Sequence, residues 1–221
     1  MMKSKKFFIM ALSIAIISVI SNGSVFAAPA EKYKVVDKSG GKKAKDPKWY
    51  STWVKNRDLM EVEKAYENKH AFIIEQEGDN LDFLKVWANK IDASSQVARL
   101  LSNQIEEIAA GSEYGDDGDF QKAMESLVTS LSKAKVVGLR KNGDWWVKKQ
   151  YTSGPNKNKM AYSYSVLYLI DKDNIKKLLD REIKKALGEV TTHTRERVTE
   201  VIDNSGVGKS DSPNSDNSSE E

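Results

Sequence analysis

From Met160 to Ile170 large and small side chains alternate without a break. Met160, Tyr162, Tyr164, Val166, Tyr168 and Ile170 hold one set of positions, and Ala161, Ser163, Ser165, Leu167 and Leu169 hold the other. A helix cannot sort side chains with a period of two, whereas successive side chains of a strand leave opposite faces. The stretch predicts a central strand with one bulky and one smaller face, and the rest of the chain has to be arranged around it.

The neighbouring segments carry two kinds of period. Lys135–Lys141 (KVVGLRK), then Asn142-Gly143, then Asp144–Tyr151 (DWWVKKQY) predict a hairpin, because Asn-Gly suits a two-residue turn with positive φ at both positions. Ala71–Glu75 (AFIIE) reads as another strand, closed by Gly78-Asp79-Asn80. Elsewhere apolar residues recur at three- and four-residue intervals, as helices require. Asp58 with Glu61 predicts a short capped helix with Leu59, Val62 and Tyr66 on its stripe. A long helix is expected from Leu81 to about Ala110, with Ala88, Ser95, Ala98 and Ser102 small enough to let it lie close to a sheet. A second follows the break GSEYGDDGD, through Phe120, Met124, Leu127 and Leu131. A third starts at Asp171–Asn174 and ends near Gly188, and Val190–Ile202 could continue as a polar helix. The order predicts an α+β fold: one domain with an antiparallel sheet of about four strands and helices packed mainly on one face.

The ends differ from the middle. Lys3, Lys5 and Lys6 precede the apolar run Phe7–Ile20, followed by small residues suited to cleavage after Ala27. This is the pattern of a secretory signal peptide over residues 1–27, and the run is short of the roughly 20 residues that span hydrocarbon. The chain has no Cys, so lipid attachment at a cysteine, a disulfide framework and thiolate metal sites are excluded. Residues 28–48 are Lys- and Gly-rich and read as a flexible basic leader, residues 49–203 as the single domain, and residues 204–221 as a disordered acidic tail. Without the three N-terminal lysines the acidic and basic residues balance at 32 each. A neutral body with a basic leader and an acidic tail argues against a nucleic-acid partner, which needs a clustered basic face.

Candidate chemistry is sparse. Asp116-Asp117-Gly118-Asp119 has the composition of a calcium loop, but counting from Asp117 puts Val128 where the closing Glu belongs. An acidic turn ahead of a helix is the better account. Glu75 and Glu77 alternate on a strand and point to one side, either as an acid–base pair or as an exposed strand edge. His70 and His193 could serve a hydrolase only if the fold assembled a nucleophile around them, and neither G-x-S-x-G nor HExxH occurs. No metal, cofactor or catalytic residue is assigned.

The aromatic residues are the suggestive feature. Trp145 and Trp146 are adjacent on a strand and leave opposite faces, while Tyr162, Tyr164 and Tyr168 share one face. If that face is open, these residues form a platform for a glycan, a peptide or a partner protein. If helices cover it, they are core.

Three segments together resemble one known pattern: Asp46-Pro47-Lys48-Trp49 ahead of a strand, AFIIEQEGDNLDFLKVWA leading into a helix with Ala98-Arg99-Leu100-Leu101, and VVGLRKNGDWW ahead of an aromatic strand. The pattern is similar to the bacterial envelope family of the twenty-kilodalton lipoprotein antigen, over roughly Asp46 to Leu187. The resemblance implies an α+β domain at the outer cell envelope and no established catalytic residues. The chain departs from that family's lipoproteins in having no cysteine to carry lipid. The expectation is an exported, non-enzymatic envelope or periplasmic protein that contacts partner proteins, with no transmembrane span or lipid anchor after cleavage. A small-ligand binder for cell-wall fragments or lipid, using the Trp/Tyr face, is the alternative, and a hydrolase is the third.

Overall fold

A computed structural model describes residues 31–188, 190–205 and 207. The expected signal peptide and most of the acidic tail lie outside the described residues. The elements in order are β1 (Tyr33–Lys38), α1 (Lys48–Asn56), α2 (Leu59–Glu63), β2 (Lys69–Gly78), α3 (Leu81–Lys90), α4 (Ala93–Ala110), α5 (Gly118–Ser132), β3 (Arg140–Tyr151), β4 (Met160–Asp171), α6 (Lys172–Ala186) and α7 (Thr192–Ser205).

The four strands form one antiparallel sheet in the order β1-β3-β4-β2. β4, the alternating strand, is central, and its two kinds of side chain meet two different layers. From the bulky set Tyr164, Val166, Tyr168 and Ile170 enter the main core with Phe72 and Ile74 of β2, under Leu84 of α3, Leu101 of α4, Leu127 of α5, Ile175 of α6 and Val198 of α7. The smaller set meets α1 and α2: Trp49, Tyr50, Trp53 and Val62 pack on Ala71, Ile73, Val147, Leu167 and Leu169. The fold is therefore α+β with five helices on one face and a thin second layer on the other.

Four local expectations are corrected. The leader is not a tether throughout, because residues 33–38 form edge strand β1, paired from Tyr33 opposite Tyr151 to Lys38 opposite Val147 with a register shift between Val35 and Asp37. Glu31 pins the start of this segment by accepting hydrogen bonds from Asn156 N (3.0 Å) and Nδ2 (2.9 Å). Lys48–Asn56, where the family pattern placed a strand, is helix α1. The long helix is two: Ile91 is extended, and the Asp92 carboxylate caps α4 by accepting from Ser95 N at 3.1 Å. The small residues of α4 serve α5 more than the sheet, since buried Ser102 donates to the Val128 carbonyl at 2.9 Å.

The Asn-Gly hairpin is the fourth. Arg140–Tyr151 is one strand, and Asn142 is an extra residue within it: Lys141 faces Tyr168 and Gly143 faces Leu167. This is a β-bulge, which inserts a residue and bends the strand without reversing it. Gly143 lies under α1, where a Cβ would already touch the Trp49 indole at 3.6 Å. Upstream, Val136 is held off the sheet, its N–H donating to Ser94 Oγ of α4 at 2.9 Å, and Gly138 turns the chain at φ +87°.

Candidate binding face

The five aromatic residues singled out from the sequence do not share a surface. Tyr164 and Tyr168 are 6% and 7% exposed in the main core, beneath the helices. Burial comes first among the causes that push the Tyr164 hydroxyl up to about 12, followed by the Asp144 carboxylate, to which it is hydrogen-bonded. Trp146 and Tyr162 lie half-buried at the margin of the same face, edge to face with ring centroids 5.8 Å apart, and the Lys148 ammonium lies 5.1 Å from the centre of the Tyr162 ring. Trp145 points the other way and packs beside Tyr50, 6.4 Å between centroids. Of the proposed platform, then, the helices bury the centre and leave the rim.

The opposite face holds a group that sequence reasoning did not assemble. α1 covers only part of it. Beyond α1, register places Glu75, Ser165 and Trp145 in one row, Glu77, Ser163 and Val147 in the next, then Ala161 and Lys149, and finally Tyr151 with Tyr33. The β4 members of these rows are small, so long side chains from β3 can reach across β4 to β2. Lys149, 8% exposed, places Nζ 3.1 Å from Glu77 Oε2 and 4.7 Å from the centre of the Tyr33 ring. Tyr151 donates its hydroxyl to Glu77 Oε1. Burial first, and Glu77 next, hold that phenol well above its usual range, so it remains a donor.

Glu75 is occupied in the same way. It accepts from Ser165 Oγ and from Arg57 Nη1, each at 2.7 Å. Arg57 ends α1 in a left-handed conformation (φ 52°) and lies 5.2 Å from the centre of the Trp53 ring. The two carboxylates thus do share a side, but each takes two donors, one of them cationic. The arrangement is a clamp that ties β2, β3 and the end of α1 together across β4. Its signal in the sequence was the Ala161-x-Ser163-x-Ser165 run, whose small size opens the crossing.

The remaining candidates separate. Asp117 caps α5, accepting from Asp119 N at 3.0 Å and Phe120 N at 3.2 Å, and also takes Arg197 of α7. Those backbone hydrogen bonds, then Arg197, hold its carboxyl below the usual range. His70, on β2, has Nδ1 3.3 Å from Glu63 Oε1 and a buried, unpartnered Nε2, while His193 is exposed on α7. Among the described residues no three His, Cys, Asp or Glu side chains are grouped to hold a metal ion, and no helix is long and apolar enough to cross a membrane.

Exposed apolar side chains are the other surface feature. α3 turns Phe83 (66% exposed) and Val86 (49%) to solvent less than one turn apart, next to partly buried Trp87, and Met160 opens β4 at 51% exposure. The structure defines an α+β domain with a clamped sheet face and an apolar outer helix. No family model, curated protein or solved structure matches the chain.

Proposed function

We propose that the protein is an exported, non-enzymatic component of the bacterial cell envelope that works by protein–protein contact. The N-terminal basic-apolar-small pattern and the resemblance over Asp46–Leu187 support the location. The observation that carries the mode of action is the outer face of α3. Two large apolar side chains, Phe83 and Val86, stand in solvent on a helix that already buries Leu84 and Ala88 in the core. Exposure of that kind is unfavourable unless a partner covers it. The ionisable groups that meet on the sheet face are engaged with one another, which suits a scaffold.

A photo-cross-linker at exposed Lys90, used in intact cells, tests this. It should capture one or a few envelope proteins, and Phe83→Ser with Val86→Ser should abolish capture while circular dichroism stays unchanged. Capture of none, together with turnover of a defined substrate that requires His70 or His193, overturns the proposal. Half-buried Trp146 and Tyr162 favour the second reading, a small-ligand binder. A saturable Trp fluorescence change with cell-wall fragments, lost in Trp146→Ala, would move the function there.

A further inference from the structure

Charge on this molecule is segregated. From Lys32 to Lys55 eight lysines stand against Asp37 and Asp46, although the chain beyond the N-terminal lysines is neutral. Lys38 neutralises Asp46 at 2.8 Å. Lys42, Lys43, Lys45, Lys48 and Lys55 are all exposed and join no ion pair among the described residues. Lys48 occupies the first turn of α1, which has no acidic residue and no side-chain cap, and a cation is disfavoured at that end of a helix. Lys48 therefore does not serve the stability of α1, whereas Lys55, in the last turn, suits the helix dipole.

Lys48 and Lys55 border a recess. Between α1 and α2 runs a shallow groove of about 400 Å³ whose lips carry Lys48, Lys55 and Lys64, with Ser51, Thr52 and Asn56 between them. Lys48 and Lys55 are seven residues apart, hence on one face of α1 and about 10 Å apart along its axis. Glu61 also lines the groove and pairs with Lys64, so the uncompensated charge there is that of Lys48 and Lys55; Glu63 accepts from the Ala71 N–H, Asp58 caps α2, and Glu67 is exposed. Met60, 62% exposed, stands at the start of α2, next in sequence to groove-lining Glu61.

We propose that this basic groove, with the lysines ahead of it, docks the protein on an anionic phospholipid surface. The breadth of the lysine array, over both lips and the preceding turn, suits a plane of phosphates better than a single extended acidic peptide. An exposed apolar side chain on α2, which forms one wall of the groove, suits the boundary between headgroups and acyl chains. The ligand chemistry is the phosphodiester headgroup. The surface lies apart from Phe83 and Val86, so it adds to the protein-contact reading without resting on it.

Co-sedimentation with phosphatidylcholine vesicles, with and without phosphatidylglycerol, decides the matter. The chain should bind only where phosphatidylglycerol is present, and added salt should release it. Each lysine at such a surface contributes about fivefold, so Lys48→Glu with Lys55→Glu should weaken binding at least about 30-fold. Lys176→Glu with Lys177→Glu, the same charge change at exposed positions of α6, should leave binding nearly intact, as should Phe83→Ser with Val86→Ser. None of these changes alters the N-terminal apolar run, so the difference between variants reads the groove alone. Equal binding to both vesicle types, an equal loss in the α6 control, or capture by polyglutamate but not by the anionic vesicles would each overturn the proposal.

Discussion

Glu182 illustrates how single residues hold the helical layer. It is 3% exposed on α6 and accepts from Ser130 Oγ of α5 at 2.6 Å and from Arg181 at 2.8 Å. Burial is the largest influence on its carboxyl and raises its pKa, but Ser130, Arg181 and Lys185 together outweigh it and leave the group below the usual glutamate range. A carboxyl depressed in the folded state stabilises at pH values above its unfolded pKa, and that contribution disappears as pH falls through the folded value. Glu182→Gln should therefore flatten the acid limb of stability measured by urea unfolding. Glu182→Ala, which leaves Ser130 without its acceptor while half-exposed Arg181 turns to solvent, should cost about 1–2 kcal/mol near neutral pH.

At the scale of elements, β1 has the most to reveal. It covers one edge of β3, and an edge left open invites pairing with other chains. A chain beginning at Ser39 should lose on the order of 3 kcal/mol from the missing ladder and side-chain pairs, and should aggregate at concentrations the longer chain tolerates. Urea midpoints and light scattering check both. This strand was hard to read because Lys34, Asp37 and Lys38 give it the polarity of a linker, and an edge strand needs little apolar surface of its own. The central strand β4 and helices α5 and α6 were legible, since their side chains must match a buried face at every position. α1 was missed because Trp49, Tyr50 and Trp53 fill only nine residues, too few for periodicity to show. Asn142-Gly143 misled because the dipeptide suits a bulge as well as a turn, and what decides between them is Val136, drawn away into the helical core. Of the candidate face, Trp145 and Trp146 were correctly assigned to opposite sides. The clamp on Glu75 and Glu77 left only the small Ala161-x-Ser163-x-Ser165 run as its sign in the sequence, because its donors, Arg57 of α1, Lys149 and Tyr151 of β3 and Ser165 of β4, meet only in the fold.

For the whole molecule, the tyrosines set the alkaline limit. Tyr50, Tyr151 and Tyr164 all have hydroxyls pushed up, burial being the leading cause in each, and Tyr164 reaches about 12. A phenol with a raised folded pKa contributes stability that is complete below its unfolded value near 10 and is lost as pH rises through the folded one. Stability should therefore fall steadily above pH of about 10, and absorbance titration should show these tyrosines ionising in one sharp step that coincides with unfolding. Gradual ionisation of all eight tyrosines in a chain still folded would contradict the burial described.

The seam between β1 and β3 also bears on the order of assembly. The Lys32 carbonyl meets Thr152, a partner 120 positions later in the chain. During synthesis β1 therefore waits for β3, and the layer cannot close until β4 has emerged to join β2 to β3. Until β3 and β4 emerge, the two outer ribbons lack their neighbours, and the unfinished layer stays open at both flanks.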